Sequence, residues 1–264
     1  MIFRKCSINN VVYGNPTKDY NQTTEGENSK YLLNGDPSCF KVLANLNNKE
    51  YQNIYDFFTI CTVCHEAYVE EVKGKNVIQS SSPDEVALIL GAKQVGFDFI
   101  KKTPGVLETR IEHLDETILW DLHLLLKFDS TRKRMSVVVN KKNTDEYWLY
   151  TKGADTQMLS SMTLDPNELS KINKDLMIFS REALRTLVFA KKRLSKEQVE
   201  DYKNRFNDIS SSASPTKDDE LCDLFQEIES GFDYVGSSAI EDKLQDNVGD
   251  TIEKIIQAKI RFWV

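Results

Sequence analysis

The chain has 264 residues, 40% hydrophobic and 28% charged, with 34 Lys+Arg against 41 Asp+Glu and a formal net charge of −7. That length allows one large or two smaller domains with a sizeable core, and the acidic balance argues against a general nucleic-acid or membrane-surface binder. No stretch reaches the roughly 18 to 20 apolar residues of a membrane span and the N-terminus lacks a signal-peptide apolar region, so the chain as given is expected to be soluble.

In chain order, Ile2-Phe3 and Val11-Val12-Tyr13 flank Asn9-Asn10 and predict a hairpin with an asparagine turn. Residues 14–35 are polar and predict a surface insertion, disordered in part. A helix is expected from about Asn48 to Glu66, then a polar turn over Glu70–Lys75 and a short strand, Asn76 to Gln79. Ser82-Pro83-Asp84-Glu85 predicts a helix start with Ser82 as N-cap, Pro83 at the first position and a Ser82/Glu85 capping box, the helix ending by Gly96. Strands follow over Phe97–Ile100, Val106–Ile111, Ile118–Phe128, Met135–Val139 and Tyr147–Lys152. Their short connections imply antiparallel pairing.

Asp155 is the expected N-cap of the next helix, and Asp165-Pro166 opens a longer one running to Leu184. Thr186–Ala190 predicts a buried strand, Ser195 to Phe206 a capped helix, Ser210–Lys217 a serine-rich loop, Asp218–Glu229 a helix and Phe232–Val235 a strand. Ile260–Val264 has the pattern of a buried strand that stops without a loop, which predicts a piece excised from something longer. The fold class expected is α/β, a twisted antiparallel sheet flanked by helices.

The usual chemical signatures are missing: no GxxxxGK[ST], no GxGxxG after a strand and no GxSxG elbow. His65, His113 and His123 have no metal-ligand spacing. Five scattered cysteines predict reduced thiols, and Cys61-Thr62-Val63-Cys64-His65, although it matches CxxC and CxxCH, sits among Ile54, Phe57, Phe58 and Ala67 at helical spacing and predicts a buried helix face. What stands out is Phe128, at a strand end, followed by Arg132, Lys133 and Arg134 in a turn. An aromatic face can stack on a base while cations meet phosphates. On the residues alone, the commoner reading is that Phe128 is core and the basic turn a solvated one.

Four stretches in order, Ser82-Pro83-Asp84-Glu85, Lys127-Phe128-Asp129-Ser130-Thr131-Arg132-Lys133-Arg134-Met135-Ser136, Tyr150-Thr151-Lys152-Gly153-Ala154-Asp155 and Leu184-Arg185-Thr186-Leu187, closely resemble the nucleotide-binding domain of type IV P-type ATPases, the phospholipid flippases. A fifth, Ala239-Ile240-Glu241-Asp242-Lys243-Leu244-Gln245-Asp246, is similar to that family's return hinge. The resemblance covers most of the chain beyond about residue 37. It implies that Phe128 stacks on adenine, Lys152 stands at the pocket base, Arg185 meets ribose or phosphates, and Glu85 accepts from the adenine amino group, unless it only completes the capping box. Ser130 and Arg134 are secondary candidates, and Lys133 is read as solvated.

The resemblance also divides the chain into a hinge strand (1–12), the polar insertion (13–36), the nucleotide-binding domain (37–236) and a return hinge with a truncated start of a phosphorylation domain (237–264). It implies a cytosolic domain of an integral membrane protein that works with ATP or ADP, Mg2+ in the complete enzyme, phosphorylation and actuator domains, and phospholipid through a membrane domain. An accessory subunit is left open, and no nucleic acid is expected. The family's DKTGT and TGD sequences do not occur in this chain, so the chain alone is expected to bind ATP without hydrolysing it. The alternatives are a regulatory or scaffold flippase-like domain, for example fused to a guanylyl cyclase, and a nucleotide-independent interaction protein.

Overall fold

The structure, a computed structural model, describes residues 1–15, 32–244 and 246–263. Most of the expected polar insertion, 16–31, and Val264 lie outside the described residues.

β1 (Ile2–Ile8) and β2 (Val11–Tyr13) form the expected hairpin. Asn9 and Asn10 turn it at φ 49° and 61°, left-handed backbone that asparagine tolerates. The edges of the insertion are more anchored than a surface loop would be: Tyr13, Leu33 and Asp36 are buried, and the Asp36 carboxylate accepts from the Gly14 amide at 2.9 Å. Helix α1 (Ser38–Leu43), which the sequence did not announce, buries Cys39 and Leu43 ahead of α2 (Tyr51–Val63). The expected polar turn at Glu70–Lys75 is narrower. β3 (Tyr68–Val72) and β4 (Lys75–Gln79) pair as a separate hairpin around Lys73 and Gly74, both at positive φ.

Helix α3 (Pro83–Lys93) starts where predicted, with Ser82 as N-cap, but the capping box does not form. The Ser82 amide is taken by Ser80 Oγ at 3.1 Å, and the Glu85 carboxylate turns towards tertiary partners instead. A meander follows: β5 (Phe97–Thr103), β6 (Val106–Ile111), β7 (Glu116–Asp129), β8 (Arg134–Lys141) and β9 (Tyr147–Gly153), each pairing antiparallel with the next. In α4 (Asp155–Leu159) the N-cap is Ala154, one residue before the Asp155 expected. α5 (Pro166–Arg181) is capped by Asp165, which accepts from the Asn167 and Glu168 amides. β10 (Arg185–Leu194), α6 (Lys196–Ser211) with a complete Ser195/Gln198 capping box, α7 (Lys217–Ile228), β11 (Asp233–Glu241) and α8 (Val248–Gln257) complete the chain.

Among the described residues nine strands make one antiparallel sheet in the order β2-β1-β11-β10-β9-β8-β7-β6-β5. Strand periodicity sends alternate residues to opposite faces, so Leu187 and Phe189 pack into one core with α1, α2 and α3, while Val188 and Ala190 pack into a second with α4 to α7. Cys61 and Cys64 are buried in the first core, as the helical spacing predicted. The strand expected at Ile260–Val264 is absent over 260–263, which follow α8 in solvent, Trp263 being 82% exposed. A strand needs an open ladder, and β11, the nearest in sequence, already pairs with β1 and β10.

The second core is pinned to the β7–β8 hairpin by Glu229, 1% exposed, which accepts from Arg132, Arg134 and Ser136 at 2.6 to 2.8 Å. Removing the carboxylate would leave two buried guanidiniums unpaired. Glu229→Ala should therefore lower unfolding free energy by about 3–5 kcal/mol, the range for breaking a buried ion pair from one side. Urea denaturation monitored by Trp fluorescence would measure it, and a loss within error of zero would mean that the network holds nothing together.

Candidate functional site

A cleft of about 730 Å3 opens where the β7–β8 hairpin, the ends of β9 and β10, and the start of α3 meet. Its floor is Lys152, on β9 directly opposite Met135 of β8. The Lys152 ammonium is buried and reaches Glu85 Oε1 at 3.0 Å. Glu85 Oε2 accepts from Ser80 Oγ at 2.7 Å and from the Glu66 amide at 3.1 Å. Burial by itself would raise this carboxyl, but Lys152 and the hydrogen bonds from Ser80 and Lys152 outweigh it and hold the group below the usual carboxylate range. Glu85 is thus an ionised acceptor built into the floor rather than part of a cap.

Beneath the floor lies His65. Burial, reinforced by the Lys152 charge, pulls its pKa down to about 3, so it is neutral. Its Nε2 donates to the Thr62 carbonyl at 2.8 Å. Burial likewise pushes the Cys64 thiol up to about 12, which removes it from thiolate chemistry at neutral pH.

Phe128 stands on one wall and is 62% exposed, so it is not a core residue. The cause is local. The β7–β8 register slips between Leu126 and Asp129, and a bulge of this kind re-aims the side chains it carries. The turn beyond is held by Asp129, whose Oδ1 accepts from the Thr131 and Arg132 amides at 2.8 and 3.0 Å, and by Lys133 at φ 50°. Gly153 lets β9 come up against this turn: a Cβ there would sit 2.6 Å from Arg134 Cβ and 2.8 Å from the Lys133 carbonyl oxygen.

On the far wall Arg185, at the start of β10, is half exposed. Its Nη2 lies 3.1 Å from Asp84 Oδ2, and its Nη1 lies 3.7 Å from Asp242 Oδ2. The arginine is therefore held at the rim by carboxylates from either side. An anion of higher charge density could draw it inward, since exposed ion pairs are individually weak.

Of the six residues singled out from the sequence, Phe128, Ser130, Glu85, Lys152 and Arg185 line this one cleft. Arg134 does not. Alternation along β8 sends it to the opposite face from Met135, where it bonds Glu229 and Ser161. Lys133, read as solvated, does line the cleft, as do Asp84, Met135, Leu187 and Ile240, none of which was singled out for the site. The β8–β9 register would have pointed to Met135. Asp84 gave no signal beyond its place in a first helical turn.

The sequence pattern of the family described as "P-type ATPase, cytoplasmic domain N" matches residues 53–247. The chain is 32% identical over 270 residues to "Phospholipid-transporting ATPase IC" of Xenopus tropicalis, which covers all of this chain and 21% of that protein. It is 33% identical over 305 residues to "Phospholipid-transporting ATPase dnf2" of Schizosaccharomyces pombe, again over 100% of the chain and 21% of the relative. With "Probable phospholipid-transporting ATPase IM" of Homo sapiens the identity is 32% over 281 residues, covering 23% of that protein. The chain thus spans roughly a fifth of the length of the curated relatives it matches. A mixed α/β fold around a large antiparallel sheet and a family pattern covering most of the sequence lead to one conclusion: the chain belongs to the P-type ATPase cytoplasmic N-domain family.

Proposed function

We propose that this chain is the ATP-binding domain of a phospholipid-transporting P-type ATPase, and that the cleft presents the γ-phosphate of ATP to an aspartate on a separate phosphorylation domain. The observation that carries the reading is the convergence, in one cleft, of an exposed ring on a bulged strand, a buried Lys152–Glu85 pair and the rim cation Arg185. Each suits one part of a nucleotide. Phe128 offers a face for adenine. Glu85, ionised beside Lys152, offers an acceptor for the adenine amino group. Ser130, Lys133 and Arg185 supply donors and charge along the ribose–phosphate side. ATP fits this donor set and this volume.

Mg2+ would enter with the phosphates and neutralise part of their charge; among the described residues no group of three His, Cys, Asp or Glu could hold it alone. In this reading the chain by itself holds nucleotide without hydrolysing it, because the acceptor aspartate belongs to another domain. β1 and β11 run side by side in the sheet, which supports segments 1–12 and 237–264 as the two sides of a hinge to that domain. The lipid, the actuator domain and any accessory subunit belong to the whole protein. No helix among the described residues is long and apolar enough to cross a membrane.

A domain that must release nucleotide each cycle should bind it modestly, with Kd of roughly 0.1 to 1 mM, or about −4 to −5.5 kcal/mol. Phe128→Ala should weaken ATP by about 1–3 kcal/mol, the scale of stacking on an aromatic side chain, and Phe128→Trp should retain most of the affinity. Titration calorimetry on folded protein decides this, and the absence of heat up to several millimolar ATP with every variant would sink the nucleotide reading. For Arg185→Ala the expected signature is a flatter salt dependence, since a rim cation is screened over a Debye length of about 8 Å at physiological ionic strength while stacking is not. Equal salt slopes for Arg185→Ala and the parent would remove Arg185 from the phosphate side.

The floor makes a prediction about pH. In the parent, the stability contributed by the depressed Glu85 carboxyl is complete above its unfolded pKa of about 4.3 and is lost as pH falls through the lower folded value. Lys152→Met leaves Glu85 buried without its counter-ion and should raise that pKa above the unfolded one. Its contribution is then present below pH 4.3 and lost as pH rises. The variant should therefore be most penalised near neutrality, by about 3–5 kcal/mol, and should approach the parent's stability in acid. Parallel denaturation curves at pH 7 and pH 4 test this, and a penalty independent of pH would show that the pair is not ionised.

A further inference from the structure

Behind the cleft, on the face of β8 opposite Met135, Arg132 and Arg134 are each 8% exposed. Arg132 donates from Nη1 to both oxygens of Glu229 at 2.7 Å and from Nη2 to the Lys127 carbonyl at 2.6 Å. Arg134 donates from Nε to Glu229 at 2.8 Å and from Nη1 to Ser161 Oγ at 2.6 Å, which leaves Nη2 with no protein partner among the described residues. Ser136 Oγ also donates to Glu229, at 2.6 Å. Two buried guanidiniums thus share one buried carboxylate whose oxygens are already bonded, and the buried groups by themselves carry one surplus positive charge. Buried charge is stable only when it is paired or solvated.

Both arginines open on a cavity of about 350 Å3, also walled by Gln157, Ser161, Gln226 and Ser230. Gln157 and Gln226 add amide donors, the Ser161 and Ser230 hydroxyls donate to the Gln157 and Glu227 carbonyls, and among the described residues Glu229 is the one acid in the lining. The next acid along the hairpin, Asp129, attracts the Arg132 charge but is fully exposed, so solvent screens that attraction, and its carboxylate accepts from the turn amides. We infer that this cavity is a binding site for a small oxyanion of the phosphate class, gripped by the guanidinium edge of Arg134 and the side-chain amides of Gln157 and Gln226. A planar guanidinium fork beside side-chain amides is a donor geometry that suits tetrahedral oxyanions. Helix α7, which supplies Cys222 and Gln226, begins with the exposed Asp218, Asp219 and Glu220. That acidic turn disfavours an extended polyanion and favours one compact group. The cavity and the proposed nucleotide cleft lie on opposite faces of the same hairpin and share no lining residue.

The test is a titration of 15N-labelled chain with sodium phosphate, against sodium chloride at matched ionic strength, followed by amide and side-chain NMR shifts. Phosphate should give saturable shifts at Arg132, Arg134, Ser161 and Gln226 that chloride does not reproduce, and sulfate should behave as phosphate does. Gln226→Glu, nearly isosteric at an exposed position, places a carboxylate at the cavity wall. It should reduce the phosphate affinity at least about ten-fold, the scale of like-charge repulsion at contact distance, and raise the melting temperature by neutralising the surplus charge. Phosphate shifts no larger than those from chloride, shifts confined to Phe128, Lys152 and Arg185, or undiminished binding by Gln226→Glu would each overturn the assignment.

Discussion

Lys152 and Glu85 meet at 3.0 Å with little solvent on either side chain, one next to the end of a central strand and the other in the first turn of a helix. Neither charge could be buried there alone, because the desolvation penalty of an isolated ion exceeds anything local packing returns. The pairing succeeds because Glu85 is saturated from other directions too, by Ser80 and by the Glu66 amide. The start of α3 is thereby fixed to the sheet. Once Glu85 is turned inward, its neighbour Asp84 is left on the rim, where it meets Arg185. Floor and rim of the cleft are consequences of one ion pair.

The second constraint is the bulge in β7. Strict alternation over Leu126 to Asp129 would have placed consecutive side chains on opposite faces with a full ladder beneath them. The register slip frees Lys127 and Phe128 from that ladder, and an aromatic ring is left in solvent beside the cleft. Exposing such a ring forgoes roughly 1.5–3 kcal/mol of burial, which is reason to look for a ligand at that position. The same hairpin then divides its cations by parity. Met135 and Lys133 line the cleft, while Arg132 and Arg134 serve Glu229 behind it. One strand therefore carries two chemistries, separated by the thickness of the sheet.

Much of the fold was legible because it rests on local rules. The meander from Phe97 to Gly153 followed from alternating apolar runs and short connections, and the helices at Pro166 and Lys196 followed from an Asp-Pro start and a Ser195 cap, the second completed in the structure by Gln198. The Ser82–Glu85 box obeyed the same local rule and failed, because a buried lysine distant in sequence competes for Glu85 more strongly than the backbone of its own helix does. The strand expected from Ile260 is absent over the described 260–263 for a related reason, since β propensity is realised only where another strand offers an open edge.

The amino-acid sequence by itself determined most of the strands and helices (though not α1, β3 or α8), the antiparallel sense of the sheet and, through the ordered stretches around Glu85, Phe128, Lys152 and Arg185, the family and these four residues of the cleft. These are properties of short segments, set by periodicity, turn chemistry and residue type. Tertiary structure alone decided which of the hairpin's cations face the cleft, that Asp84 and Asp242 hold Arg185, and that Arg132 and Arg134 share Glu229 from a helix about 95 residues away in the chain. Those outcomes depend on strand register and on long-range charge pairing. No local pattern in a single sequence encodes either, because a one-residue slip would have exchanged the two faces of β8 without changing a single residue.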